Sequence, residues 1–479
     1  MRRTTLIVCI VAVVLLSAGI FILYTWSGDE PEQPQPEQPY NETVKVFVSE
    51  QTENITSIYF APHNKKPFAL LRDALSGEIT LDAAEAIFPG DLFMMYVMFE
   101  QAITLNSLVC VIEEADNEQL DMLGFSNPVM SWRINRADGI SIDIEVGAEQ
   151  AAGQGRYVRR HDSREIFILT EMQQMILVQE LEDIYDLSFL PHSISPNDEL
   201  SLQTVNHIII ETEDSIIELR KRSDEEFANA IMGTSMYRIE QPVSWDSNDF
   251  IVQTIILENA ARIVPDSVEV INPANLSVYG LDNPAKLTMS TGEWSGTLLI
   301  GDHDVEREGR YVMIEGHNAV LFDHNDVYKF LDISTAQLRS LLIWLHKIED
   351  ISTITFKLDD DTRILEFEHE SSGTGISGWL DDNELSANNT RRLCASVFNI
   401  TLNGETDATI PNIPPVYVFT IQFNDGSSEE LALYQLNDSH YLIVLNGVNT
   451  GLFTTRMTLQ QNLLSRFEIL DAGGDIPML

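Results

Sequence analysis

Short apolar runs recur three times along the chain at nearly equal spacing. Three β-rich phrases begin at Ile55, Val205 and Ile351. A second apolar run follows each phrase, at residues 68–71, 215–219 and 363–367. Runs of this length, rich in β-branched and aromatic residues, are typical of strands. Each pair therefore predicts an antiparallel hairpin, and the spacing predicts three structural repeats.

A second set of phrases is shared by the first two copies. Gly124-Phe-Ser-Asn-Pro128 matches Gly280-Leu-Asp-Asn-Pro284, and Gly155-Arg-Tyr-Val158 matches Gly309-Arg-Tyr-Val312. Glycine permits a tight backbone approach, and asparagine before proline is kept out of the helical region, so these phrases predict turns that lead into strands. We expect a structural role for the following residues: Gly124, Asn127, Pro128, Gly155, Arg156, Tyr157, Gly280, Asn283, Pro284, Gly309, Arg310 and Tyr311.

The two arginines of these phrases allow a second interpretation. Arg156 and Arg310 occupy the same place in successive copies and would be suited to an anionic ligand. An ion pair with an acidic neighbour explains them as well in a chain with 74 Asp and Glu residues.

Helical spacing of apolar residues indicates two helices in each copy. One lies in the first half, at residues 81–105, 249–263 and 390–398, and one closes the copy, at residues 172–181, 327–342 and 458–470. The third copy lacks the shared phrases but keeps a hairpin signal at Asn424-Asp-Gly426. We therefore predict an α+β fold in which an N-terminal transmembrane helix precedes three tandem units of mainly antiparallel strands with helices. The predicted units are 44–197, 204–346 and, in diverged form, 351–470.

The N-terminus has the pattern of a membrane anchor. Residues 4–26 carry no charge, Arg2 and Arg3 precede them, and acidic residues follow from Asp29. About 20 apolar residues suffice to cross a bilayer, and positive charge stays on the cytoplasmic side. We expect residues 1–28 to form a cytoplasmic tip and a single-pass anchor, and the Pro/Glu/Gln-rich residues 29–43 to form an extracytoplasmic stalk. The alternative is a cleaved signal peptide.

Composition narrows the classes of partner. The net charge of −45 would repel nucleic acid and anionic lipid headgroups, so we expect no nucleic-acid partner. There are three cysteines, of which Cys9 lies in the apolar N-terminal segment. Cys110 and Cys394 lie in apolar surroundings, which predicts two buried free thiols rather than a disulfide.

Few residue patterns suggest chemistry. Residues 373–378 spell a dinucleotide fingerprint, but they follow a strand and precede another, so we interpret them as a loop. Asp302, His303, Asp304 and Glu306 include metal-ligand types, yet the first copy lacks them, so a solvated loop is expected. The Met-rich run 93–99 would suit a partner-binding surface or the core, and we expect the core. No catalytic residue, cofactor or metal is predicted.

The second copy resembles a known bacterial family. The phrases Tyr279-Gly-Leu-Asp-Asn-Pro284, Leu299-Ile-Gly-Asp302, Gly309-Arg-Tyr-Val312 and residues 326–331 are similar to DUF4340, a domain of unknown function. The resemblance implies a membrane-anchored envelope protein that accompanies ABC-type transporter subunits of the kind associated with gliding motility. It implies no catalytic residues.

Three functional hypotheses follow. The leading one is a non-catalytic extracytoplasmic scaffold of a bacterial membrane complex, with protein partners that include ABC transporter subunits. The alternative is an extracytoplasmic module that binds a glycan, a peptide or a divalent cation. An envelope hydrolase with a carboxylate pair is the third.

Overall fold

The structure is a computed structural model that describes most of the chain beyond the N-terminal segment. The described residues are 43–150, 153, 155–228, 234–242, 244–358, 361–369 and 376–477. The predicted anchor at 1–28 and the predicted stalk, apart from residue 43, lie outside them. Among the described residues, no helix combines the length and the apolar character needed to cross a bilayer.

The first sheet has nine strands within residues 43–169, in the order β1-β5-β9-β8-β7-β6-β2-β3-β4. Its strands are β1 Thr43–Lys45, β2 Ile55–Pro62, β3 Phe68–Arg72, β4 Ile79–Asp82, β5 Leu108–Ile112, β6 Met130–Arg136, β7 Ser141–Glu149, β8 Arg156–Arg160 and β9 Ile166–Leu169. The strand pairs in this sheet are antiparallel.

The second sheet also has nine strands, in the order β13-β12-β11-β10-β15-β16-β17-β18-β14. Its strands are β10 His207–Glu211, β11 Ile216–Lys221, β12 Tyr237–Gln241, β13 Trp245–Asp246, β14 Ser267–Ile271, β15 Ala285–Ser290, β16 Ser295–Asp304, β17 Gly309–Ile314 and β18 Ala319–Asp323.

The third sheet repeats the arrangement, in the order β22-β21-β20-β19-β24-β25-β26-β27-β23. Its strands are β19 Ile351–Leu358, β20 Asp361–His369, β21 Ile376–Leu380, β22 Asn383–Leu385, β23 Gly404–Glu405, β24 Tyr417–Phe423, β25 Ser428–Gln435, β26 His440–Leu445 and β27 Val448–Thr455.

The three sheets share one central strand order and differ at their edges. The strand formed by the repeated β-rich phrase lies in the middle of each sheet and pairs with a strand from the second half of the copy: β2 with β6, β10 with β15, and β19 with β24. On one side of this strand lie two further strands in the first sheet and three in the second and third, and on the other side lies a four-strand meander. An outer strand, β5, β14 or β23, then pairs with the last meander strand. In the first sheet, β1 adds an outermost strand beside β5. This common order is consistent with a repeated unit.

Helices are short and connect or cover the sheets. The α-helices are Leu92–Ile103, Asn117–Met122, Glu171–Leu177, Glu199–Leu202, Asp224–Ala228, Asp249–Ile251, Glu258–Ala260, Thr335–Leu338, Ala387–Phe398, Arg456–Leu459 and Ser465–Asp471. The π-helical turns are Val252–Leu257 and Gln460–Leu464. The 3-10 turns are Thr52–Asn54, Leu181–Ile184, Ser277–Tyr279, Lys329–Asp332 and Ile348–Asp350.

The predicted α+β fold with an N-terminal transmembrane helix is therefore wrong. The described residues form three nine-stranded antiparallel sheets, and helix is the minor component. The predicted helix at 327–342 shows one reason. Only two short helical segments form there, because the backbone is extended at Ile333 and again at Arg339. Its apolar residues Phe330 and Leu338 are nevertheless buried, so helical spacing marked their burial rather than a continuous helix.

The predicted helix at 81–105 begins later for a different reason. Ile79–Asp82 is strand β4, and the helix begins at Leu92. Pro89 disfavours helical geometry in the residue before it, and the Asp91 carboxylate accepts a hydrogen bond from Met94 N at 2.7 Å. The cap therefore sets the start of this helix.

Contacts divide the chain into two compact units. The first contains the described residues up to Asn197 together with Arg262–Pro284 and Leu298–Asp326. The second contains Asp198–Ala261, Ala285–Thr297 and the described residues from Val327 onward. The boundaries predicted for the three repeats remain predictions.

Candidate functional site

The first Gly-x-x-Asn-Pro phrase forms a turn that packs against a β-bulge. Gly124 follows the helix Asn117–Met122 with φ +84°, a conformation that side chains other than glycine rarely adopt. Leu123 O accepts a hydrogen bond from Ala148 N at 2.7 Å, at the bulge near the end of β7. A Cβ atom on Gly147 would lie 2.2 Å from Leu123 O. The glycines thus allow the turn and the bulge to touch.

The second copy builds the same contact. Gly280 ends a 3-10 turn with φ +67°, and a Cβ atom there would lie 2.4 Å from Asp302 Cγ. A Cβ atom on Gly301 would lie 2.1 Å from Tyr279 O. Strand β16 has its bulge at this point. The shared phrase therefore encodes a turn docked on a bulged strand.

The Asn-Pro pairs lead the chain from this turn into the next strand. Asn127 N donates to Gly124 O at 3.3 Å, and its side-chain nitrogen lies 3.3 Å from His63 Nε2. Pro128 lies just before β6, and Asn283 and Pro284 directly precede β15. The proline ring and the restriction on the preceding residue favour the extended backbone that a strand needs.

The glycines of the Gly-Arg-Tyr-Val phrases also lie in crowded places. Gly155 has φ +132°, and a Cβ atom there would lie 2.1 Å from Leu169 O. A Cβ atom on Gly309 would lie 2.5 Å from the ring of Phe322. Each glycine therefore permits close packing at the start of β8 or β17.

The two arginines contact groups of their own sheet. Arg156 Nη2 lies 3.7 Å from Glu149 Oε2, and Arg310 Nη1 donates to Gly301 O at 2.8 Å. Both partners belong to the bulged strand that precedes the arginine. These contacts favour a role in holding the hairpin rather than in binding an anion.

The tyrosines pack at the same positions. Tyr157 packs beside the small apolar cluster around Phe125. Tyr311 donates its hydroxyl to Asp304 Oδ2 at 3.0 Å, and its ring meets Phe322 edge to face at 5.1 Å. The backbone N–H of Arg307 and this hydroxyl bond to the Asp304 carboxylate, which lowers its pKa. Burial raises the pKa of Tyr311.

The residues with metal-ligand side chains are not arranged as a metal site. Asp304 accepts hydrogen bonds from Glu306 N and Arg307 N and thereby closes the turn between β16 and β17. Across the described residues, no group of three or more His, Cys, Asp or Glu side chains could hold a metal ion. Of the fingerprint-like phrase at 373–378, residues 376–378 lie in β21, and residues 373–375 lie outside the described residues.

The described cysteines are buried and free, as predicted. Cys110 is 2% exposed in β5, and Cys394 is 1% exposed in the helix Ala387–Phe398. Burial raises the pKa of both thiols, which disfavours the reactive thiolate. Cys9 lies outside the described residues. Neither described thiol is arranged as a nucleophile.

One exposed apolar surface stands out in the first compact unit. The helices Leu92–Ile103 and Glu171–Leu177 pack against each other and leave large side chains exposed. We call these the helix-pair surface: Leu92, Phe93, Tyr96, Met172 and Met175. Apolar side chains scattered singly over a surface are ordinary, whereas two packed helices that each expose several of them form a candidate interaction site.

The longer helix buries one face and exposes the other, so the core interpretation of residues 93–99 holds for only part of the run. Met95, Met98 and Phe99 are buried, as the expected core interpretation of residues 93–99 requires. Phe93 is 77% exposed, and Tyr96 is also exposed. The run is apolar all round, so periodicity could not tell which side faces the core.

Equivalent positions in later copies show single exposed side chains. Phe93 is the second residue after its helix N-cap, and so is Phe250, which is 71% exposed. Met172 likewise corresponds to Met457, which is 66% exposed. Phe250 and Met457 belong to different copies, so among the described residues only the first copy has an exposed Phe and an exposed Met at these two helix positions.

Comparison with protein families places part of the chain. Residues 237–403 match the family model of DUF4340, a domain of unknown function. The resemblance predicted from the second copy is therefore confirmed over this segment. No curated protein matches the chain at a significant level.

The docked turn predicts a strong effect of one methyl group. In Gly301→Ala, the new Cβ atom would meet the Tyr279 carbonyl oxygen, which is backbone and cannot move alone. We expect the free energy of unfolding to fall by about 1–3 kcal/mol. Urea unfolding followed by tryptophan fluorescence measures this change. Gly292→Ala is the control, because a Cβ atom there meets nothing within 4 Å. Equal midpoints for the two variants would contradict the docked turn.

Burial predicts slow thiol chemistry in the folded protein. In a Cys9→Ser variant, we expect Cys110 and Cys394 to react with an aromatic disulfide reagent only after denaturation. Their burial excludes the reagent and disfavours the thiolate. Absorbance of the released thiol measures the reaction, and a Leu75→Cys addition at a 99% exposed position supplies a fast control. Rapid labelling of both native thiols would show the prediction to be wrong.

Proposed function

We propose that this chain is a non-catalytic extracytoplasmic scaffold of a bacterial membrane complex and that it binds a protein partner through the helix-pair surface. The observation that carries the proposal is the exposure of Phe93 and Met172 on two packed helices. Aromatic and methionine side chains are enriched at protein interfaces, where they supply contact area. Methionine also adapts its shape to a partner.

The charge of the chain supports a protein partner over other classes. A net charge of −45 repels nucleic acid and anionic lipid, and it repels a second copy of the same chain. A partner with apolar side chains and a basic rim meets no such repulsion. This complementarity would both speed encounter and exclude acidic competitors.

The sequence and the family resemblance support the proposed location. We propose that the uncharged residues 4–26 keep the chain at the cell membrane, with the N-terminus cytoplasmic and the sheets outside. The resemblance to DUF4340 implies a protein that accompanies ABC-type transporter subunits, so transporter subunits are the proposed partners. The Pro-rich residues 29–43 would hold the sheets away from the bilayer.

The helix-pair surface can be tested with a matched pair of variants. We expect Phe93→Ser with Met172→Ser to reduce the recovered partner by about tenfold or more, because interface anchors carry most of the binding energy. Tagged protein purified from detergent-solubilised membranes of the source cells, followed by quantitative mass spectrometry, measures the recovery.

The control for this experiment changes the same side chains elsewhere. Phe250→Ser with Met457→Ser removes side chains of equal type and similar exposure from equivalent helix positions. The control should recover the partner at the level of the unmodified protein. Equal losses in both variants, or a loss in neither, would count against the helix-pair surface.

The proposed location predicts how the protein fractionates. We expect the full chain to stay with the membrane pellet after alkaline carbonate extraction and a chain that starts at residue 29 to be released. The reason is that only residues 4–26 combine length with the absence of charge. Immunoblotting of both fractions measures this, and release of the full chain would contradict the anchor.

A further inference from the structure

The first compact unit contains an acidic cleft, which we define by three segments: residues 64–67, 180–187 and 264–271. Its volume is about 980 Å³, at the upper end of the usual range for ligand pockets, which is ~300–1,000 Å³. We propose that this cleft binds a basic, extended peptide segment as an added strand beside β14. The proposal deepens the scaffold function above and rests on it, since it gives the chemistry of a second partner contact.

Local backbone and ring contacts hold the walls of the acidic cleft in place before any ligand binds. Asp91 N donates to Ile184 O at 2.8 Å, and Asp186 N donates to Pro89 O at 2.8 Å. The ring of Tyr185 packs on Phe88 with centroids 5.7 Å apart. A wall held by backbone hydrogen bonds and buried rings needs little ordering when a ligand binds, which favours affinity.

Strand β14 supplies the backbone groups that an added strand would use. It lies at the end of the second sheet, and among the described strands it pairs only with β18. All five of its residues, Ser267–Ile271, line the acidic cleft. An edge strand presents N–H and C=O groups that lack a strand partner, and an extended peptide can satisfy them.

The side chains of the acidic cleft select for positive charge. Seven carboxylate residues line it against two lysines. Lys65 already pairs with Glu180 at 2.7 Å, and Lys66 lies 3.6 Å from Glu182. Glu269 also pairs with Arg307 at 3.0 Å, and Asp186 and Asp266 lie 2.9 and 3.0 Å from ring nitrogens of His192 and His324. Four of the seven carboxylates make no ion pair with Lys or Arg among the described residues, so the potential in the cleft is negative. A basic ligand is therefore attracted, and salt should weaken the attraction.

Two observations favour a peptide over a metal ion. Within the described residues, no three carboxylate, His or Cys side chains are grouped as ligands for an ion. The cleft also has partly exposed apolar side chains, Val268, Val270 and Ile271, beside its carboxylates. A metal ion would interact with neither these apolar side chains nor the backbone groups of an edge strand. A peptide that alternates basic and apolar residues suits both, since successive side chains of a strand point to opposite faces.

The test is direct binding of synthetic peptides to the full chain in detergent. The probe is a short fluorescent peptide of alternating lysine and valine, and fluorescence anisotropy measures its Kd at low and at high salt. We expect saturable binding that weakens with salt and no binding of the matching glutamate–valine peptide. No binding of the lysine peptide at low salt, or equal binding of both peptides, would overturn the proposal.

Charge variants locate the site. Glu180→Gln with Glu182→Gln should raise the Kd by about tenfold, because two partly exposed attractions are lost. Glu113→Gln with Glu211→Gln is the control. Each of these carboxylates also pairs with a lysine, at 3.2 Å and 3.6 Å, and neither lines the acidic cleft. The control keeps the same net charge and should bind as the unmodified protein does. Equal Kd values for the two variants would place binding elsewhere.

Methylated peptides test the added strand. We compare two lysine–valine peptides that are N-methylated at alternate positions in the two possible phases. Strand addition requires the amides on one edge only, so one phase should lose binding and the other should keep it. Equal affinity of the two would show that side-chain attraction alone holds the peptide. Calcium that binds alone and displaces the peptide would overturn the proposal in favour of an ion.

The outcomes for the acidic cleft and for the helix-pair surface are separable. Phe93→Ser with Met172→Ser changes no residue that lines the cleft, so it should leave the Kd of the peptide unchanged. A chain that binds the peptide but recovers no partner would contradict the scaffold function and keep the cleft. If Glu180→Gln with Glu182→Gln leaves partner recovery unchanged and the peptides do not bind, the cleft proposal is contradicted and the scaffold function is kept.

Discussion

Each sheet depends on one long-range strand pair at its middle. The strand formed by the repeated β-rich phrase pairs with a strand from the second half of the copy. A helix and an outer strand lie between the two in the sequence. Buried apolar side chains face each other across this junction in all three sheets: Phe60 and Trp132, Ile210 and Leu287, and Phe356 and Phe419. Without this pair, each sheet would separate into two smaller sheets with two additional exposed edges.

The docked turn solves a problem that this pairing creates. The strand that enters the junction, β6 or β15, must arrive extended and in register, because a slip of one residue would turn its buried face to solvent. Gly124 and Gly280 place the preceding turn against the bulge of the next strand. The turn therefore anchors the entering strand to its own hairpin through contacts that are local in sequence. In the third copy, Pro414-Pro415 stands before β24 in place of the Gly-x-x-Asn-Pro phrase. The two prolines favour an extended backbone at that point.

Strand periodicity predicted the sheets better than helical periodicity predicted the helices. Alternating runs such as the one at Ile55 became strands because every second side chain is buried in a sheet. The predicted helices are shorter in the structure, because the N-cap residue Asp91 sets the start of one and the extended backbone at Arg339 ends another. The common strand order could not be predicted, since the pairing of β2 with β6 joins residues far apart in sequence. The helix-pair surface was likewise hidden, because exposure depends on what covers Phe93 and not on its own type.

Charge and apolar contact would contribute differently to the binding of a partner. The chain has 74 acidic and 29 basic side chains, so its carboxylates cannot all be neutralised internally, even though Lys65, Arg133 and Arg220 are each ion-paired. A residual field of this sign raises the association rate of basic partners and falls with salt, but exposed charge pairs add little affinity. Affinity must come from desolvated contacts, which in the first compact unit means the helix-pair surface and the apolar wall of β14. In the proposed function, one compact unit would thus combine an acidic cleft that attracts a basic partner with apolar side chains that hold it, a combination that partner recruitment requires.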